Sequence, residues 1–91
     1  MSLYYFNHRV KDYDVWRTYF DADDAARVSI GTTCVSVLRS TANANNISLV
    51  FDVEDINVFM NFMQAPERGE IMQKAGVLEM PKIYKLEEIK R

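Results

Sequence analysis

The chain opens with a run of aromatic and apolar residues followed by three polar ones, and it changes to a helical period after about ten positions. Leu3–Val10 is aromatic and β-branched, which is typical of a strand. After Asp12, apolar residues recur at the spacing of one helix face, at Val15, Trp16, Tyr19, Phe20, Ala22, Ala25 and Ala26. This pattern predicts a strand and then a helix that Asp12 caps and Gly31 ends.

The middle and the end of the chain repeat this succession with a hairpin inserted. Thr32–Ser40 and Ile47–Val53 predict two strands, and the Asn-rich segment 41–46 predicts the turn between them. Asp55 predicts the cap of a second helix, because its carboxylate can accept from the first-turn N–H groups. That helix is expected to break at Pro66 and to be followed by a further helical segment ending at Gly76. Lys82–Ile89 predicts the last strand.

The predicted order, β-α-β-β-α-β, is the ferredoxin-like arrangement of the α+β class. Right-handed crossovers place both helical regions on one face of a four-stranded antiparallel sheet. We expect one domain over residues 1–91. The other sheet face keeps apolar residues and has to be covered, and a second copy of the chain is the simplest cover. We therefore expect a homodimer that associates through its open sheet face.

Composition narrows the classes of partner. The formal charge is −2 and no basic stripe is visible, which argues against a nucleic-acid partner. No apolar run approaches the roughly 20 residues of a membrane span, so no membrane partner is expected. The single Cys34 excludes an intramolecular disulfide, and the N-terminal residues lack a signal-peptide pattern. These features predict a cytoplasmic protein.

Two stretches resemble a known group of proteins. HRVKDYDVW over residues 8–16, and Ala75-Gly76-Val77 with Pro81 before the last strand, are similar to short members of the dimeric α+β barrel superfamily. That superfamily includes antibiotic-biosynthesis-monooxygenase-like domains and small bacterial proteins sometimes labelled cyclase. The resemblance implies that two ferredoxin-like subunits stack sheet to sheet. It also implies a ligand cleft between the helices and the sheet of each subunit. Asn7 and Trp16 match residue types of the monooxygenases in a different local motif, so no catalytic role is transferred.

His8, the only histidine, is the candidate for chemistry. It shares a strand face with Phe6 and Val10, opposite Asn7 and Arg9. In a cleft it could contact a ligand or act as a general base near neutral pH. The alternative is a buried imidazole bonded to a carboxylate or a backbone carbonyl. A metal site would need further ligands, which the sequence does not supply, so neither a metal nor a cofactor is expected.

Aromatic and methionine side chains are the candidates for a ligand-binding wall. Tyr13, Trp16 and Phe20 share one helix face, and methionine adapts to ligands of irregular shape. The alternative is that both groups simply form a packed core. The complete candidate binding set is Phe6, His8, Tyr13, Trp16, Phe20, Phe59, Met63 and Met72.

Other charged residues are expected at the surface. The acidic segment 21–24 predicts a solvated helix end, without the ligand spacing of a calcium loop. Arg9 and Arg39 are expected on the uncovered sheet face, paired with Asp52 or Glu54.

Three functions follow from these features. The first is a homodimer that binds a small aromatic or apolar metabolite in the cleft between helices and sheet. The second is a cofactor-independent monooxygenase, isomerase or cyclase with His8 as general base. The third is a structural dimerisation module. The sequence leaves open whether the protein is an enzyme.

Overall fold

A computed structural model describes residues 2–89, so the first residue and the last two of the predicted domain lie outside it. The elements are β1 (Ser2–Arg9), α1 (Tyr13–Ala22), α2 (Asp24–Ser29), β2 (Thr32–Arg39), β3 (Asn46–Val53), α3 (Ile56–Met63), α4 (Pro66–Lys74) and β4 (Lys82–Leu86). No helix within these residues has the length and hydrophobicity needed to cross a membrane.

The strands form one antiparallel sheet in the order β2-β3-β1-β4. Phe6 of β1 lies between Leu49 of β3 and Ile83 of β4. Trp16 of α1 and Phe59 of α3 are buried in the same core cluster as Phe6. The predicted α+β fold, with ferredoxin-like order and a four-stranded antiparallel sheet, is confirmed.

Capping residues start the helices where the sequence predicts. The Asp12 carboxylate accepts hydrogen bonds from the backbone N–H groups of Asp14 and Val15, at 2.9 and 3.3 Å. Asp55 caps α3 in the same way. Gly31 ends the first helical region with a φ of +80°, a left-handed conformation that glycine adopts without steric cost. A Cβ atom at Gly31 would also collide with the Glu54 side chain.

The prediction of one continuous helix as far as Gly31 is wrong. The helical run breaks at Asp23, whose N–H bonds to the Phe20 carbonyl, three residues back, at 3.2 Å. Such i−3 bonding tightens the last turn and ends α1. The Phe20 carbonyl also accepts from Arg27 Nη2 at 2.7 Å, and this contact fixes the start of α2 against the end of α1.

The last strand is also shorter than predicted. It ends at Leu86 and not at Ile89. Leu86 pairs with Leu3, so only Ser2 of β1 remains beyond that pair. Residues 88 and 89 therefore lie beyond the end of β1.

A β-bulge changes the facing of side chains in β2. The register shifts between Cys34 and Ser36, which leaves Val35 without a partner in β3. After the bulge, Arg39 pairs with buried Ile47 and lies on the helix side of the sheet. Its guanidinium carbon lies 4.5 Å from the centre of the Tyr13 ring. The expected position of Arg39 on the uncovered face is therefore wrong.

Arg9 also has a different partner from the one expected. It points away from the helices, but its Nε atom pairs with Glu79 Oε1 at 2.6 Å and not with Asp52 or Glu54. Glu79 comes from the connection before β4, which the sequence pattern did not place next to β1.

The second sheet face is not covered by any helix described in residues 2–89. It carries Tyr5 and Tyr84, whose ring centres lie 6.1 Å apart, together with Leu38 and Leu86. Tyr84 and Leu38 are 55% and 53% exposed. This surface, which we call the open face, matches the apolar uncovered face predicted from the sequence.

Candidate functional site

A cavity of about 100 Å³ lies between the helices and the covered face of the sheet. All but one of the predicted binding residues line it, namely Phe6, His8, Trp16, Phe20, Phe59, Met63 and Met72. The alternating pattern of β1 supplies Phe6 and His8, and the helices supply the others.

Tyr13 is the residue that does not line the cavity. Its hydroxyl accepts a hydrogen bond from Arg17 Nη1 at 3.0 Å, and its ring lies between Trp16 and Arg39. The ring centres of Tyr13 and Trp16 are 5.9 Å apart. Tyr13 thus contacts Trp16 from outside the cavity, apart from the other residues of the predicted set.

Aromatic rings form one continuous wall of the cavity. The Trp16 and Phe20 rings are stacked, with centres 4.7 Å apart and planes inclined by 24°. The His8 and Trp16 rings are arranged edge to face, with centres 5.9 Å apart, so His8 adjoins this wall. Stacked and edge-to-face rings stabilise one another by about 0.5–1.5 kcal/mol per pair beyond area burial, which makes the wall stiff.

Phe59 shows that part of the predicted set also serves as core. It is 1% exposed and meets Phe6 and Phe51, with ring centres 5.5 and 5.8 Å away. Met63 and Met72 are half-buried on the same side of the cavity. A stiff aromatic wall therefore faces a wall that contains adaptable methionines.

His8 is the polar side chain at the sheet end of the cavity. It is 4% exposed, and its Nδ1 atom has no hydrogen-bond partner among residues 2–89. Burial lowers the pKa of His8 below its ordinary value of 6.5, and the nearby Glu79 carboxylate raises it to a lesser extent. The ring is therefore neutral at pH 7. The alternative of a buried imidazole bonded to a carboxylate or a backbone carbonyl is therefore not met at Nδ1 within residues 2–89.

Two arginines that the sequence analysis did not select also line the cavity. The Arg27 guanidinium carbon lies 3.9 Å from the centre of the Phe20 ring. That of Arg68 lies 4.1 Å from the centre of the Phe62 ring. Helical spacing is the sequence signal that could have selected both arginines. Arg27 follows Phe20 by seven residues and Arg68 precedes Met72 by four, and both spacings place two residues on one helix face.

Asp23 joins this arginine pair and corrects the interpretation of segment 21–24 as wholly solvated. Its Oδ2 atom lies 2.7 Å from Arg68 Nη1, and its side chain is only 25% exposed. The N–H of Arg68 Nη1 is not aligned on the carboxylate as a hydrogen bond. The lining of the cavity thus contains two polar groups. One is the His8 imidazole, and the other consists of Arg27 and Arg68 with the Asp23 carboxylate.

Comparison with known proteins identifies the fold. No protein-family model matches the chain, and no curated protein sequence matches it. Solved structures do match, including a "putative antibiotic biosynthesis monooxygenase" from Bordetella bronchiseptica. That structure has a TM-score of 0.77 and 15% identity, over 99% of this chain and 100% of the other.

Two further structures with the same description support this result. The protein from Nitrosomonas europaea has a TM-score of 0.68 and 9% identity, over 99% of this chain and all of that one. The protein from Deinococcus radiodurans has a TM-score of 0.64 and 11% identity, over 100% of this chain and 95% of that one. The fold implied by the resemblance at residues 8–16 and 75–81 is confirmed over the full length of the chain. Identities this low establish the fold alone.

Proposed function

We propose that this protein is a homodimer that binds a small aromatic molecule in the cavity of each subunit. One observation carries the proposal: His8 Nδ1 is buried beside an aromatic cavity, without a hydrogen-bond partner among residues 2–89. A buried polar group without a hydrogen bond costs about 1–3 kcal/mol of folding free energy. A ligand that bonds to the imidazole offsets this cost, and the ring wall accommodates a flat apolar body.

The cavity volume limits the size of the ligand. A dry apolar cavity of roughly 150 Å³ accepts benzene, whereas sites for drug-sized molecules span about 300–1,000 Å³. At about 100 Å³, this cavity is smaller than the benzene site, so a single ring is the upper limit for the part of a ligand that lies inside it. A hydroxyl on that ring is the simplest partner for a neutral imidazole, which can both donate and accept.

Calorimetric titration with phenol, and with toluene as its apolar counterpart, tests this proposal. We expect phenol to bind more tightly than toluene, and the single Trp16 to report binding through its fluorescence. His8→Phe keeps a ring in place and removes both nitrogens. The variant should weaken phenol binding roughly tenfold, which corresponds to about 1.4 kcal/mol of binding free energy. Toluene binding should be unchanged. Absence of binding by both compounds would reject the proposal and favour a structural dimerisation module.

The open face supports the homodimer. Tyr84 and Leu86 place exposed apolar surface beside the half-buried Tyr5 and Leu3, and an apolar patch of this kind marks an interaction site. Tyr84→Lys would introduce a charge into the interface. We expect native mass spectrometry to show a dimer for the wild type and a monomer for Tyr84→Lys. Val28→Lys on α2, at an equally exposed position, should remain dimeric.

A second candidate function is cofactor-independent monooxygenation of the bound ring. Burial keeps His8 neutral at pH 7, which is the form that can accept a proton from the substrate. The structural neighbours from Bordetella bronchiseptica and Nitrosomonas europaea carry monooxygenase names. In such a reaction the substrate supplies both electrons, one oxygen atom enters the product and the other leaves as water. Oxygen uptake that requires a ligand and disappears in His8→Phe would support this reaction, and ligand binding without oxygen uptake would reject it.

A further inference from the structure

We infer that Arg27 and Arg68 bind a carboxylate, so that the ligand is a one-ring aromatic acid with its hydrogen-bonding group remote from the carboxylate. This inference rests on the proposed function, because it assigns a chemical class to the ligand of the same cavity. It adds an anionic group that neither the sequence pattern nor the fold comparison indicates.

Arg27 is the main support, because it is a buried cation with incomplete hydrogen bonding. Its side chain is 8% exposed, and its Nη2 atom donates to the Phe20 carbonyl at 2.7 Å. Its Nε atom is buried and has no hydrogen-bond partner in the described part of the chain. The guanidinium stays charged in proteins, and its planar fork matches a carboxylate. A carboxylate in the cavity would complete this set of bonds.

The carboxylates already present do not saturate the two arginines. Asp24 lies 3.7 Å from Arg27 Nη2 but is 62% exposed, so solvent screens this pair. Asp21 is exposed and pairs with Arg17 at 2.8 Å. Among residues 2–89, Asp23 is the carboxylate that lies against Arg68, whose side chain is 15% exposed. Arg27 thus has the screened Asp24 as its partner carboxylate, and Arg68 has Asp23.

Aromatic rings separate the two polar groups that would bind the ligand. His8 contacts Trp16, Trp16 stacks on Phe20, and Phe20 carries the Arg27 guanidinium on its face. A flat ring that lies along Trp16 and Phe20 therefore has the imidazole at one end and the cation at the other. A ring with a hydroxyl opposite a carboxylate fits this arrangement.

Calorimetric titration with 4-hydroxybenzoate and with 4-hydroxybenzamide tests the inference, since the amide keeps the shape and removes the charge. We expect the acid to bind at least about tenfold more tightly than the amide, since hydrogen bonds to charged groups are worth about 1.5–3 kcal/mol. Arg68→Gln and Arg27→Gln should each weaken acid binding about tenfold and leave amide binding unchanged. Arg17→Gln, an exposed arginine on α1, is the matched control and should change neither.

The outcomes separate this inference from the proposed function. Equal binding of acid and amide by the wild type would overturn the inference and leave the aromatic site standing. Binding of neither compound, together with no binding of phenol, would overturn both. If Arg27→Gln does not fold, the wild-type preference and the loss in Arg68→Gln decide the result. A wild-type preference for the acid that persists unchanged in both Arg68→Gln and Arg27→Gln would also overturn the inference.

Discussion

Asn7 and His8 are adjacent in β1, and they show how differently the two faces of the sheet treat a polar side chain. Asn7 points to the open face, where its Nδ2 atom lies 2.9 Å from Asn46 Oδ1 and 3.1 Å from both the Ile47 carbonyl and Ser48 Oγ. His8 points to the covered face, where its Nδ1 atom has no partner within residues 2–89.

The difference distinguishes polar side chains that hydrogen-bond within the protein from a polar side chain that is available to a ligand. On the open face, Tyr5 and Ser48 add a further hydrogen bond at 2.8 Å, so side chains of β1 and β3 satisfy one another there. On the covered face, His8 lies against the Trp16 ring, and no described residue forms a hydrogen bond with its Nδ1 atom. The more buried group is thus the less satisfied one, which is the reverse of the usual rule for polar groups.

The largest expected effect comes from removing a ring on the covered face. Phe6→Ala should lower the free energy of unfolding by about 3–5 kcal/mol, because it leaves a void beside Phe51 and Phe59. Urea denaturation measures this change. Val28→Ala, at an exposed position on α2, is the control and should stay within about 0.5 kcal/mol. A loss below about 1 kcal/mol for Phe6→Ala would contradict the description of this face as the core.

Asn7→Ala should have the next largest effect. It removes a side chain that bridges to β3 and should cost about 1–2 kcal/mol in the same denaturation experiment. Ser36→Ala, on the open face of the edge strand β2, is expected to cost less than about 0.5 kcal/mol. Equal costs for the two variants would show that the Asn7 hydrogen bonds contribute little.

His8→Phe should cost less than Asn7→Ala, although His8 is the more deeply buried residue. At pH 7 we expect a change below about 1 kcal/mol, because the variant removes a buried nitrogen without a partner and keeps a ring against Trp16. A loss of 2 kcal/mol or more, measured by urea denaturation, would mean that His8 has a structural partner, and the contrast with Asn7 would fail.

The smallest expected effect is a pH dependence that belongs to His8 alone. Because burial lowers the pKa of folded His8 below 6.5, the unfolded chain takes up the proton first as the pH falls. The wild type should therefore lose stability relative to His8→Phe as the pH falls below 6.5, and the loss should level off below the folded pKa. Denaturation of both proteins at several pH values measures the difference. A constant difference would contradict the lowered pKa.

The sequence predicts the strands and the covered face well, because both follow from local alternation. Ile47, Leu49, Phe51 and Val53 are all buried, as their spacing in β3 requires. The caps at Asp12 and Asp55 are local too, since they depend on residues two and three positions ahead.

What the sequence did not reveal depends on contacts between distant segments. Arg68 and Asp23 meet across 45 positions, and hydropathy assigns both to the solvent. Arg27 has the spacing of the apolar helix face, but an arginine is charged, so the hydropathy pattern does not predict that it is buried. The bulge at Val35 has no local signature, and it decides on which side of the sheet Arg39 lies.

The two edges of the sheet have a consequence for aggregation. Strand β2 carries the bulge at Val35, and β4 is only five residues long, with exposed lysines at Lys82 and Lys85. Bulges, short strands and lysines each prevent another chain from adding a strand at an edge. Edge-to-edge growth into fibrils is therefore disfavoured, and a concentrated solution of this aromatic-rich chain should stay free of cross-β polymers.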